Sequence, residues 1–238
     1  MPTMRVFHLP GRWGMLTVSP FCLKLDAFLR MTGIEHESCT AATPFGGPKK
    51  KAPWIEYRGD KLADSTLIID TLKQDFGADP DAHLDARQKA IAVAVQRMIE
   101  ENLYWCMVYE RWCRDVNWPI LKDSVLGDIP APVRAILAPL ARRGVKKQLN
   151  GQGIGLHKPD EIEAIAAKDI GALAGLLGDG LWFFGDTPSM TDATAYSLLA
   201  NIAYVPFASP MKAMIVGHPK LAEWLDRFRA EYYPESIA

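Results

Sequence analysis

Ser19-Pro20-Phe21-Cys22 joins a short apolar segment, Met4 to Leu9, and a loop carrying Gly11 and Gly14, to the helix-like run Phe21 to Leu29. Serine is a favoured N-cap, and proline at the first helical position has no N–H to leave unsatisfied. The unpaired backbone donors of that turn, together with the positive end of the helix dipole, favour an anion. Ser19 therefore has two readings. It starts a helix, or its hydroxyl also hydrogen-bonds an anion such as a thiolate.

Outward from this stretch, Glu35 to Thr40 suits a second strand, and Gly46-Gly47-Pro48 marks a loop. Trp54-Ile55-Glu56-Tyr57 alternates apolar with polar, and Arg58-Gly59-Asp60-Lys61 is expected to turn into Leu62-Ala63 as a hairpin. Asp64-Ser65 precedes Thr66 to Leu72, whose spacing predicts a helix ending near Gly77. These pieces describe a small α/β domain. Gly77, Asp79, Pro80 and Asp81 punctuate the chain, and everything beyond reads helical. The expected division is a first domain over residues 1–78, a linker over 79–87 and an all-helical domain over 88–238.

In that second part, Ile91, Val95, Met98/Ile99, Leu103, Cys106 and Tyr109/Cys113 recur at helical spacing from Asp85 to about Asp115, where Trp118-Pro119 closes the segment. Ile136, Leu137 and Leu140 are read as the apolar face of the next helix. Arg142, Arg143, Lys146 and Lys147 suit its negative end. The glycines of Asn150 to Gly155 follow no strand and are read as a loop. A helix from Pro159 leads to Leu177. Ser189 and Asp192 have N-cap and N3 spacing before a buried run from Ala193 to Ile202. The last helix, from Pro219 to about Tyr232, carries Leu221, Leu225 and Phe228 on one stripe.

The 238 residues are 49% hydrophobic and 23% charged, with a net charge of −1, so a substantial core is expected. Nothing in that balance favours nucleic acid or an anionic membrane. No apolar run suits a membrane span, and no signal peptide is read. Four cysteines without a Cys-x-x-Cys pair argue for reduced thiols in a cytoplasmic protein with no metal site.

An α/β domain, a linker and an all-α domain, with Ser-Pro-x-Cys opening the first helix, resemble the soluble glutathione transferases over nearly the whole chain. The resemblance implies a thioredoxin-like N-terminal domain and a homodimer with glutathione as co-substrate. It also implies a cis proline in Lys51-Ala52-Pro53 and a γ-glutamyl clamp at Asp64-Ser65. Phe184-Gly185-Asp186-x-Pro188-Ser189-x-x-Asp192 is similar to the family's core-helix cap. Glu100 to Trp105, Val108-Tyr109-x-Arg111-Trp112, Leu199 to Ile202 and His218-Pro219-x-Leu221 resemble the branch of metaxins and failed-axon-connections proteins, whose members need not be catalysts.

On this resemblance Ser19 is the activating residue. Lowering a thiol pKa by two units from about 8.5 needs roughly 2.7 kcal/mol. A hydroxyl bond to a charged acceptor gives about 1.5–3 kcal/mol, and a helix terminus about 0.3–1 kcal/mol. Ala52 would offer its backbone to glutathione, Asp64 would take the ammonium, Ser65 the α-carboxylate and Lys51 the glycine carboxylate. Trp13, Tyr104, Trp105 and Tyr109, with Arg12 and Trp112, are candidates to line a pocket for a small hydrophobic electrophile. Two alternatives stay open: a non-catalytic metaxin-like adaptor, and a glutathione-dependent disulfide reductase using Cys22.

Overall fold

The computed structural model describes residues 4–41, 43–127 and 129–236. Strands β1 (Arg5–His8), β2 (Glu37–Thr40), β3 (Trp54–Tyr57) and β4 (Asp60–Ala63) form one sheet in the order β2-β1-β3-β4. β2 lies parallel to β1, whereas β3 and β4 run antiparallel to their neighbours. Arg58 and Gly59 both have positive φ, 54° and 93°. The hairpin is thus a two-residue turn, tighter than its sequence implied, because that hand of turn matches the strand twist.

Helix α1 (Pro20–Thr32) crosses between β1 and β2 and is buried on every side from Cys22 to Leu29. Leu25, Phe28 and Leu29 join Val6, Ile55, Ile68 and Leu72 in the core beneath the sheet. On the other side Leu23 and Ala27 enter the larger helical core. Both α1 and α2 (Ser65–Phe76) end on a left-handed glycine, Gly33 and Gly77, a conformation that costs glycine little.

The expected helix from Asp85 is α3 (Ala86–Arg97), a π-helical turn (Met98–Leu103) and α4 (Tyr104–Trp112). Val95, Ile99, Leu103 and Cys106 are buried as their spacing required. Trp118-Pro119 does not close the segment. Proline at the second position, where no intrahelical N–H is needed, instead starts α5 (Trp118–Leu126). Helix α6 (Ala131–Gln152) reverses its expected face: Ile136, Leu137 and Leu140 are exposed, while Ala138 and Leu149 are buried. The helix also runs through Asn150 and Gly151, and the backbone turns away only at Gly153, φ 115°. Arg142 caps the C-terminal end of α4 rather than that of its own helix, donating to the Trp112 and Cys113 carbonyls at 2.8 and 2.9 Å.

Helices α7 (Pro159–Leu177), α8 (Met190–Ala203), α9 (Pro210–Val216) and α10 (Pro219–Tyr232) complete the helical part. Asp192 accepts from Ser189 N, Ser189 Oγ, Phe183 N and Trp224 Nε1, which satisfies a carboxylate buried among Phe183, Trp224 and Phe228. Ser189 Oγ in turn accepts from Thr191 N at 3.2 Å. Ser189→Ala should lower stability by about 1–2 kcal/mol, measured as a shift of the urea midpoint. An unchanged midpoint would contradict the cap.

Candidate functional site

The sheet register carries the candidate residues to one edge. Phe7 pairs with Trp54 and Trp54 with Ala63. The loop leaving β1, Pro53 entering β3 and Asp64 leaving β4 therefore lie at the same end of the sheet. The β1–α1–β2 crossover brings the N-terminus of α1 back to that end, because β1 and β2 are parallel.

Ser19 caps α1 from an extended conformation, and its Oγ accepts from Cys22 N at 3.4 Å. Its own N–H donates to the hydroxyl of the fully buried Thr17 at 3.3 Å. The side chain is half-buried, so the cap does not close it off. Cys22, one turn on, is buried. Burial pushes its thiol up, against hydrogen bonds from Ser19, the Leu9 backbone and Thr17. Burial likewise raises Cys106 to about 12. In the folded protein iodoacetamide should modify the half-exposed Cys39 well before Cys22 or Cys106. Peptide mapping showing Cys22 labelled as fast as Cys39 would contradict this.

The Ala52–Pro53 bond is cis. Trp54 stacks on Phe7 with centroids 5.0 Å apart and planes 5° from parallel. Gly46 and Gly47 press on the Trp54 ring: a Cβ at Gly47 would lie 2.9 Å from that ring and from the Lys51 carbonyl. Only glycine lets the 43–51 loop approach so closely.

Asp64 caps α2, with Oδ1 accepting from Thr66 N at 3.1 Å and Leu67 N at 3.4 Å. Its backbone sits at φ 85°, a conformation that costs a non-glycine residue about 1–3 kcal/mol and clusters at functional sites. Oδ2 remains open to solvent and stands 3.9 Å from Lys49 Nζ. Ser65 is buried at the first helical position, and its hydroxyl bonds no described residue. Lys51 is exposed on the loop, and the lysine whose ammonium stands against Asp64 is Lys49, itself exposed.

Tyr104 meets Phe21 edge-on at 4.9 Å and Trp105 at 5.3 Å, which sets it beside the start of α1. Trp13, at φ 56°, packs edge-on against Phe207 at 5.1 Å. Arg12 fastens that loop to α5 by donating to the Ser124 carbonyl at 2.9 Å. Tyr109 and Trp105 lie half-buried against the helical core, and Trp112 packs on Trp118 at 5.8 Å. A cavity of about 320 Å³ between α2, α3 and the start of α8 is lined by none of these candidates. Its charges are of both signs, with Lys73 bonded to Asp79 and Asp81.

Two contributors were not singled out from sequence as site residues: Thr17 and Arg111. Arg111 donates to the Val18 carbonyl at 3.0 Å and so touches the residue before Ser19. Its signal was present, since Leu103, Met107 and Arg111 lie four residues apart on a buried stripe where a charge demands a reason.

A thioredoxin-like sheet whose one edge gathers a helix-capping hydroxyl, a cis proline and a capped Asp-Ser pair, followed by a helical domain, defines the class of glutathione-transferase folds. The comparisons agree. Residues 20–117 match the glutathione S-transferase N-terminal domain and 166–228 the glutathione S-transferase C-terminal domain. The chain is 34% identical over 233 residues to the isoprene-epoxide–glutathione S-transferase of Rhodococcus sp. (strain AD45), covering 95% of this chain and 98% of that one. It belongs to the glutathione S-transferase family. It is also 27% identical to Failed axon connections of Drosophila melanogaster, over 92% of this chain and 55% of that protein. With metaxin-1 of Sus scrofa it shares 26% identity, over 97% and 75%. A glutathione S-transferase from Methylobacterium radiotolerans, solved with glutathione sulfonate, has the same fold at a TM-score of 0.64, with 19% identity and 98% and 94% coverage.

Proposed function

We propose that this protein binds glutathione at the sheet edge and uses Ser19 to favour its thiolate for transfer to a small hydrophobic electrophile. The convergence of Ser19, Ala52-Pro53 and Asp64-Ser65 carries this reading. Ser19 Oγ–H would donate to the sulfur, and Ala52 would pair with the cysteinyl backbone as an added strand. Asp64 Oδ2 would take the γ-glutamyl ammonium. Ser65 and the first turn of α2 would take the α-carboxylate. Lys51, with Lys49 beside it, would meet the remaining carboxylate.

The likeness to an enzyme named for isoprene epoxide makes an epoxide the electrophile to try first. The thiolate would attack a ring carbon, forming C–S as C–O breaks, and the alkoxide would take a proton from water. Trp13, Tyr104, Trp105 and Tyr109 are the proposed acceptor-side residues. Residues 1–78 and 88–238 are the proposed domains, joined by 79–87, and a cytoplasmic homodimer belongs to the same proposal. Among the described residues no helix is long and apolar enough to cross a membrane. Incubation with glutathione and a small alkyl epoxide should yield the thioether above the uncatalysed rate, read by mass spectrometry. No excess over buffer across a panel of small electrophiles would remove the enzymatic reading.

A non-catalytic adaptor is the second reading. It is favoured by the likeness to Failed axon connections and metaxin-1, and by an outward apolar row on α6: Val133, Ile136, Leu137 and Leu140. Robust turnover with no partner recovered in pull-downs would dismiss it. Disulfide reduction through Cys22 has little support, because that thiol is buried and unfavourable to ionise. Unchanged activity in Cys22→Ala would end it.

A further inference from the structure

Arg111 is a buried cation without a counter-ion among the described residues. It is 6% exposed, and its guanidinium is met by neutral acceptors only: the Val18 carbonyl at 3.0 Å, the Asn201 carbonyl at 2.5 Å and Asn201 Oδ1 at 3.1 Å. Nε is buried with no hydrogen-bond partner. The Phe207 ring lies under the guanidinium at 5.4 Å, and the same ring meets Trp13 in a T-shaped contact. The neighbouring carboxylate, Glu110, is turned away to Arg114 at 2.7 Å. Among the described residues Tyr104, on the same helix, is the titratable group facing Arg111, while α8 presents neutral Asn201. Burial pushes Arg111 down to about 10, so it is still charged at neutral pH.

Burying a charge this way is costly unless an anion answers it. Carbonyl dipoles orient the group without neutralising it. The carbonyl it holds belongs to the residue before Ser19, at the helix end where the proposed sulfur would sit. We propose that Arg111 is a positioning residue of the glutathione site: it fixes Ser19 through Val18 and makes the sulfur position selective for a negatively charged group. This rests on the glutathione reading above, and concerns which form of the sulfur is held.

Glutathione sulfonate carries a negative charge at the sulfur position, whereas S-methylglutathione is neutral there. Calorimetric titration of the unaltered protein should favour the sulfonate by about tenfold or more. Arg111→Gln, which can still donate a hydrogen bond, should reduce that ratio to within about threefold, and Arg111→Lys should retain most of it. A purely structural role would weaken both ligands together and leave the ratio as it was. The ratio in the unaltered protein needs no variant to fold, and parity there overturns the proposal. So does an unchanged ratio in Arg111→Gln. Binding of neither ligand removes the glutathione reading and this inference with it, whereas binding with the wrong ratio removes this inference alone.

Discussion

Ser19→Ala is expected to lower kcat/KM for glutathione transfer by about ten- to a hundredfold, from the loss of one hydroxyl bond to a charged acceptor. The hydroxyl stands at the open end of α1, and its only described acceptor role is a 3.4 Å bond from Cys22 N. That long bond makes it a modest cap, so the variant should fold with a stability loss of no more than about 1 kcal/mol. Removing the donor leaves the helix dipole in place but raises the pKa of the bound thiol toward the ordinary value, about 8.5. The rising limb of the kcat/KM profile should therefore move to higher pH. If Ser19 only starts a helix, the alanine variant loses a little stability while rate and pH profile stay unchanged. Steady-state kinetics between pH 5.5 and about 9 separate the two.

Glu100→Ala is expected to destabilise the protein by about 3–5 kcal/mol, the cost of leaving a buried charge without its partner. Lys24, 2% exposed on α1, has its Nζ 2.5 Å from Glu100 Oε1 and 2.9 Å from Thr66 Oγ1. Gln96 donates to the other Glu100 oxygen and to the same Thr66 hydroxyl. The network ties α1 and α2 to the π-helical turn, and hence the sheet layer to the helical layer. Removing both charges together, as Lys24→Met with Glu100→Leu, should recover most of the loss, since an apolar pair of similar volume avoids desolvation. Urea unfolding of the two variants tests this. A Glu100→Ala loss below about 1 kcal/mol would show that the pair is solvated and worth little.

Local chemistry made much of the fold legible. Ser-Pro announced α1, Gly77 the end of α2, and Ser189 with Asp192 the cap of α8, because each is decided within one turn of backbone. What failed depended on packing between distant segments. The apolar residues at 136, 137 and 140 have helical spacing whichever way they face, and only tertiary contacts turn Ala138 and Leu149 inward. The π-helical turn is equally silent, since Met98 to Leu103 have ordinary helical preferences. In the site, Ser19 and Asp64 could be placed by their caps. The cis state of Pro53 came from family likeness alone. Lys49 rather than Lys51 near Asp64, and Arg111 behind Val18, are matters of loop course and helix rotation that spacing does not encode.

The edge carrying Ser19, Pro53 and Asp64 is the proposed glutathione site. Titrating the folded protein with reduced glutathione in a calorimeter tests it most directly. A saturable signal with one site per chain, weakened when Asp64 is replaced by alanine, is the expected result. No heat of binding at millimolar glutathione would contradict it.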